Sequence, residues 1–173
     1  VPHDIKGLTQ LMGGSKAFVD KLQMVFDKGY YDPANEPDIA YPHLFSYFKG
    51  EEWRTQKEIK RLLNTYFKNA PDGIPGNDDT GTMSAWAVFN MIGFYPDCPG
   101  EPAYTLTTPV FDKVTIKLSK EQWGTDQLVI TSKRSDKEAY RINNITVGGK
   151  PFKSYRISHK DLINARSIHF DVK

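Results

Sequence analysis

Cysteine is nearly missing: Cys98 is the only one in 173 residues, so no internal disulfide can form and the redox compartment is not legible. Long apolar runs are missing too. No stretch nears the ~20 apolar residues that a membrane-spanning helix needs, and no basic, apolar, small-residue signal segment opens the chain. Charge of one sign is not in excess. The 23 Lys and Arg against 21 Asp and Glu leave +2, which points neither to nucleic acid nor to an anionic membrane surface. There is no glycine-rich phosphate loop, no His/Cys spacing for zinc, and no nucleophile elbow. No alternating acids form an EF-hand, so a calcium site would have to be assembled from separate loops. The histidines, His3, His43, His159 and His169, are scattered, and there is no internal repeat. The first residue is Val1, not Met, as in a piece of a longer polypeptide.

What is present reads as helices followed by strands. Pro2 suits a helix start, with Ile5, Leu8, Leu11 and Met12 as its apolar stripe and Gly13-Gly14 as its end. Ser15 is placed as the cap of a second helix carrying Phe18, Leu22, Val25 and Phe26 on one face and closed by Gly29. Tyr30 to Tyr41 reads as a polar, aromatic loop, in which Pro37 pushes Glu36 toward extended backbone. A short helix is predicted over Pro42 to Phe48, with Leu44, Phe45 and Phe48 inward. A longer one is predicted over Thr55 to Phe67, with Lys57, Glu58, Lys60 and Arg61 as a solvated face.

The chain is organised around GIPGNDDTGTMSAWAVFNMIGFYPDCPG, residues 73–100. Met83, Trp86, Ala87, Phe89, Met91 and Ile92 describe a buried helix stopped by Gly93. Asp78, Asp79 and Thr80 stand where N-caps stand, and residue types alone favour capping. One acid satisfies a cap, however. A second, presented from a Gly-Pro loop after Gly76-Asn77, suggests a carboxylate aimed into a cleft, in the ionised state that a general base or cation ligand needs.

After Gly100 the helix-breaking Pro102 and Pro109 and a rise in β-formers mark a change. Strands are predicted over Val114 to Leu118, Leu128 to Thr131 and Ile168 to Val172. A hairpin turns at Gly148-Gly149 within Ile145 to Phe152, and a capped turn spans Ser158 to Asn164. The fold class is α+β: a helical part over 1–100 and a small antiparallel β module over 101–173. Lys133, Arg134, Lys137, Arg141 and Lys150 read as solvated charges before they read as a site for an acidic partner. Trp123 and Tyr155 read as packing before they read as a sugar platform.

Several motifs closely resemble the last block of glycoside hydrolase family 92, calcium-dependent exo-acting α-mannosidases. They are Gly76-Asn77-Asp78-Asp79, Met83-Ser84-Ala85-Trp86, Gly93-Phe94-Tyr95-Pro96 and Cys98-Pro99-Gly100. Val1-Pro2-His3-Asp4, the pattern from Gly7 to Gly14, and Asn35-Glu36-Pro37 extend the match. The resemblance is strongest over residues 1–14 and 35–101 and loose after Leu118. It implies that the helices close an (α/α)6 toroid.

It also implies single displacement with inversion, with Asp79 as the general base and Asn77 and Asp78 placing the water or the sugar. Asn35 and Glu36 would contact mannose hydroxyls or the calcium shell, and His3 would line the same sugar site. Many relatives carry a His-containing pair where this chain has Asp38-Ile39, which leaves the linkage open. In the family the general acid lies in a Glu-Gly-Asn-Ala-Trp segment shortly before Val-Pro-His-Asp, so residues 1–173 alone are expected to be inactive. Ca2+ is the implied cofactor, mannose-containing glycans the partners, with the rest of the same polypeptide. A secreted, periplasmic or surface-attached location follows for the whole protein. A non-catalytic carbohydrate-binding or structural module is the alternative reading, and a different toroid glycosidase or a phosphorylase is a third.

Overall fold

The structure, a computed structural model, describes residues 3–173. Val1 and Pro2, expected to open the first helix, lie outside them.

Helix α1 spans Ile5–Leu11, and the Asp4 side chain caps it by accepting the Gly7 N–H at 2.8 Å. Its buried contacts are Ile5 and Thr9. Leu11, placed in the apolar stripe from its spacing, is instead 87% exposed. Helix α2 spans Ser15–Asp27. Ser15 is its first residue and not its cap: Gly14 is the N-cap and makes no side-chain bond. Gly29, with φ +67°, closes it. The Tyr30 N–H reaches the Val25 carbonyl and the Gly29 N–H reaches Phe26, a Schellman ending.

The loop that follows contains a single 3-10 turn at Glu36–Asp38, because Pro37 tolerates the start of a tight turn but not the interior of an α-helix. The segment Tyr41–Tyr47 is also 3-10 and not α. It buries His43 and Ser46 beside Leu44 and Phe45. Helix α3 spans Glu52–Tyr66 and buries Ile59, Leu62 and Leu63. Glu58, assigned from its period to the solvated face, is 4% exposed; Arg61 Nε at 2.7 Å offsets its buried charge.

Helix α4 spans Thr82–Ile92 and ends at Gly93, φ +110°. A Cβ there would also meet Pro109 Cγ at 2.7 Å, so both conformation and packing demand glycine. Being apolar on most sides, α4 sits between two cores. Trp86 and Ala87 belong to the helical core with Met91 packed on it, whereas Phe89 and Ile92 pack on the β core.

That β core begins at Phe94 and holds eight strands: β1 Phe94–Tyr95, β2 Ala103–Leu106, β3 Lys113–Lys117, β4 Gln127–Arg134, β5 Ile142–Val147, β6 Lys150–Phe152, β7 Arg156–Ser158 and β8 Ser167–Val172. Short helices α5, Lys120–Trp123, and α6, His159–Ala165, intervene, the latter capped by Ser158. The strands form a three-stranded sheet, β1-β2-β7, and a five-stranded sheet, β3-β4-β8-β5-β6. The sheets are not purely antiparallel as expected: β4 and β8 run parallel, joined by a long crossover. The expected hairpin is β5-β6, with Gly148 and Gly149 at φ +56° and +78°.

One buried cluster ties the layers together. Asp97, 2% exposed, takes Arg156 Nη1 on both oxygens at 3.0 and 2.9 Å, the Tyr47 hydroxyl at 2.7 Å and the Thr105 hydroxyl at 2.7 Å. The Arg156 guanidinium also lies 4.2 Å from the centre of the Tyr47 ring and binds Glu101 at 2.9 Å.

Candidate functional site

The loop from α3 to α4 enters its helix through a left-handed turn. Asp79, Thr80 and Gly81 have φ +46°, +61° and +91° in succession. Two non-glycine residues in this region cost roughly 1–2 kcal/mol each, less for Asp, and persist only where surrounding bonds hold them. Those bonds are present. Thr82 donates its N–H at 3.2 Å and its hydroxyl at 2.7 Å to the Asp79 carbonyl, and Gly81 and Met83 donate to the Asp78 carbonyl.

The two acids divide the work. Asp78 Oδ1 accepts the Ser84 N–H at 2.8 Å and the Ser84 hydroxyl at 2.7 Å, so Asp78 is the cap of α4 from outside the helix. Its Oδ1 is therefore engaged, while Oδ2 takes no hydrogen bond from a described residue. The half-exposed Asp79 has a fixed backbone and a side chain that no described residue hydrogen-bonds or pairs with. Asn77 is exposed, its Oδ1 at a long 3.5 Å from the Asp79 N–H.

The second loop is held against the first at one point. A Cβ on Gly76 would lie 2.7 Å from the Ala34 Cβ. Gly76 directly precedes Asn77-Asp78-Asp79 and Ala34 directly precedes Asn35-Glu36, so this contact sets the two polar segments side by side. Inside the second loop, Asp32 Oδ1 accepts the Ala34 N–H at 2.9 Å, and Asp38 Oδ2 accepts the Asp32 N–H at 3.3 Å. Asp38 thus closes the loop from within. The indole N–H of Trp86, on α4, donates to the Ile39 carbonyl at 3.0 Å and fastens the loop to the helix that Asp78 caps.

Beneath lies an aromatic floor. Tyr95 stacks on His43 at 4.5 Å and 19°, and Trp86 meets His43 edge-on at 6.1 Å. Burial first, then the carboxylates of Asp97 and Glu36, push the Tyr95 hydroxyl up to about 12. His43, fully buried, is the residue that sequence reading passed over as one scattered histidine. The Asn90 amide donates to the Trp86 carbonyl at 2.8 Å, so Asn90 Oδ1 faces His43 Nε2 at 3.0 Å and His43 carries its proton on Nε2. Its Nδ1 has no hydrogen-bond partner among the described residues. Burial lowers the His43 pKa against the opposing pull of Asp97, Asn90 and the Ala40 and Ile39 carbonyls. Only the residue types in 41–47 hinted at this: a His flanked by Pro42 and Leu44 in an apolar run.

His3 stands apart. It is exposed ahead of α1 and lines a cleft with Asp4, Leu8 and Leu11. Among the described residues no hydrogen bond, ion pair or ring contact joins it to either loop. Trp123 is 42% exposed with its ring against His159 at 5.1 Å, and Tyr155 is half-buried, its hydroxyl directed at the Ile142 carbonyl. Neither ring lies at the two loops.

The loops offer oxygen donors, the ligand chemistry of calcium. Among the described residues, however, no three His, Cys, Asp or Glu side chains gather where they could hold a metal ion.

The family model described as "Glycosyl hydrolase family 92 catalytic domain" matches residues 1–173. An uncharacterized secreted glycosidase of Arthroderma benhamiae is 30% identical over 168 residues, 97% of this chain and 21% of that protein. Two solved structures from Bacteroides thetaiotaomicron are also similar. A family 92 α-mannosidase in complex with mannoimidazole superposes with TM-score 0.83 at 27% identity, over 92% of this chain and 22% of that one. A family 92 inverting mannosidase superposes with TM-score 0.86 at 25% identity, over 100% and 26%. The chain thus spans about a quarter or less of the length of these relatives.

Proposed function

The chain belongs to glycosyl hydrolase family 92, and from that membership we propose that it forms part of an exo-acting α-mannosidase in which Asp79 is the general base. Hydrolysis with inversion needs a carboxylic acid to protonate the leaving oxygen and an ionised group to take a proton from water on the opposite face. The two stand ~6.5–9.5 Å apart to admit that water. The observation that carries the reading is the asymmetry of the acid pair. Asp78 caps α4 through Oδ1, while Asp79 is strained, fixed and unpaired among the described residues beside the loop of Asn35 and Glu36. Capping alone accounts for Asp78 and leaves Asp79 without a structural task.

In this reading Asp79 Oδ draws a proton from water, Asn77 helps place that water, and Asn35 and Glu36 hold sugar hydroxyls. The general acid and most remaining walls come from polypeptide outside residues 1–173, which on their own release no mannose. Leu11, 87% exposed, and Val88, 55% exposed on α4, support a surface that the remainder of an (α/α)6 toroid covers. Calcium completes the proposal. Side-chain oxygens of the two loops would supply some of its ligands and the rest of the polypeptide the others, and the ion would polarise the terminal mannose. Secretion is the location proposed, in keeping with the secreted fungal relative.

The test is Asp79→Ala in the full-length polypeptide, assayed on α-mannosides. Turnover is expected to fall by about 10²–10⁴ with folding retained. Undiminished turnover would return Asp79 to a structural role and favour the non-catalytic module.

A further inference from the structure

The seam between the two cores holds a cavity of about 250 Å³ that none of the chemistry above uses. Its floor is aliphatic: Ile59 and Leu63 of α3 from one side, Pro109, Val110 and Ala139 from the other. Its rim is cationic. Lys60, Arg134 and Lys137 line it against a single acid, Glu138. That acid is already occupied, since Lys60 Nζ binds its carboxylate at 2.9 Å and its carbonyl at 2.6 Å. Arg134 has one carboxylate contact among the described residues, a long 3.4 Å to Asp112, whose side chain is 91% exposed; its other bonds go to the neutral Ser132 hydroxyl at 3.0 Å and the Pro109 carbonyl, so its charge stays uncompensated. Lys137 has no carboxylate partner among the described residues.

The walls are held by bonds of their own and not by loop slack. Arg134 Nη2 donates to the Pro109 carbonyl, the Val110 N–H reaches Met91 at 2.8 Å, and the Thr108 hydroxyl reaches the Tyr140 carbonyl at 2.5 Å. The cavity therefore exists before any ligand arrives.

We propose that this cavity binds a small organic carboxylate with an apolar body the size of one ring or a short branched chain. The volume lies just under the range for drug-sized ligands, ~300–1,000 Å³, so the occupant is small. Aliphatic walls suit the body of such a ligand and give nothing to an inorganic anion. The surplus positive charge at the rim, half shielded from water, suits the head group. A neutral sugar fits less well: no aromatic ring lines the cavity for its flat face, the Glu138 carboxylate is taken by Lys60 and the Thr108 hydroxyl donates to Tyr140, which leaves Asn64 as the polar side chain for its hydroxyls. The proposal is independent of the mannosidase reading.

Calorimetric titration of the full-length polypeptide with benzoate, benzyl alcohol and inorganic phosphate tests it. Benzoate is expected to bind and the other two not. Lys137→Glu and Asn64→Asp, both exposed positions at the cavity, should each weaken benzoate by about tenfold or more. Unchanged melting temperatures would show that both variants fold. Absence of benzoate binding up to ~10 mM, a weak Kd by ordinary affinity arithmetic, overturns the site. Equal binding of benzyl alcohol or phosphate overturns the ligand class, and benzoate affinity untouched by both variants overturns the location.

Discussion

Gly76 and Ala34 touch where a side chain on Gly76 would have to be: its absent Cβ would come to 2.7 Å from the Ala34 Cβ. Gly76 also holds φ +63°, which an L-residue adopts only with strain. Gly76→Ala should therefore push the Asn77–Asp79 loop off the Asn35–Glu36 loop. A stability loss of about 1–3 kcal/mol is expected from the backbone alone, with kcat/KM on a mannoside falling further than that loss explains. Comparing urea melts with steady-state kinetics separates the two. A variant with wild-type kinetics would show that the contact does not position the site.

The unequal roles of the adjacent acids lead to opposite effects on stability. Asp78→Ala removes the acceptor of the Ser84 N–H and should cost about 1 kcal/mol. Asp79→Gly removes a left-handed non-glycine residue and should hold stability level or raise it by up to about 1 kcal/mol, while turnover is lost. Thermal melts and a mannoside assay on both variants check this. A large stability loss at position 79 would mean that its carboxylate has a partner holding the fold.

How much of this was legible in the sequence follows from the range of each interaction. Gly29, Gly93 and Gly148-Gly149 act within a few residues of themselves, so their stops and turn could be read directly. The doubled acid was legible as a surplus over what a cap needs, but not which of the pair was spare. That depended on a left-handed turn placing Asp78, and not Asp79, at the Ser84 amide. Glu58 was misplaced because helical periodicity sees a charge and not Arg61 covering it. The parallel β4-β8 pairing and the His43–Asn90 bond join residues roughly forty apart, and no local pattern announces them.

Asp97 is the plainest case of such distance. It sits in a Pro-Asp-Cys-Pro run that reads as an ordinary loop, yet its partners are Tyr47, Thr105 and Arg156. Asp97→Ala leaves the partly buried Arg156 guanidinium with Glu101 as its one carboxylate and strips the Tyr47 and Thr105 hydroxyls of their acceptor, and should destabilise by about 3 kcal/mol, the low end for breaking a buried ion pair. Arg156→Met with Asp97→Leu should recover much of that loss. Urea denaturation of the single and double variants measures the coupling, and simple additivity of the two would contradict a shared network.

His43 gives the last prediction, a pH dependence with a definite sign. Burial lowers its pKa in the folded chain below the ordinary 6.5 that it regains on unfolding. Below pH 6.5 the unfolded chain therefore takes up a proton that the folded chain refuses, and stability falls as pH drops until the folded value is passed. Above 6.5 the residue contributes no slope. While only this group titrates, the slope cannot exceed about 1.4 kcal/mol per pH unit. His43→Phe keeps the ring stacked on Tyr95 but leaves Asn90 Oδ1 unpaired, at a cost of about 1–3 kcal/mol that does not vary with pH. Denaturant melts from pH 8 to 5 should show wild type losing stability faster than this variant below 6.5. Parallel curves would mean that His43 already carries its second proton in the folded chain, with Nδ1 bonded to the nearby carbonyls instead of bare.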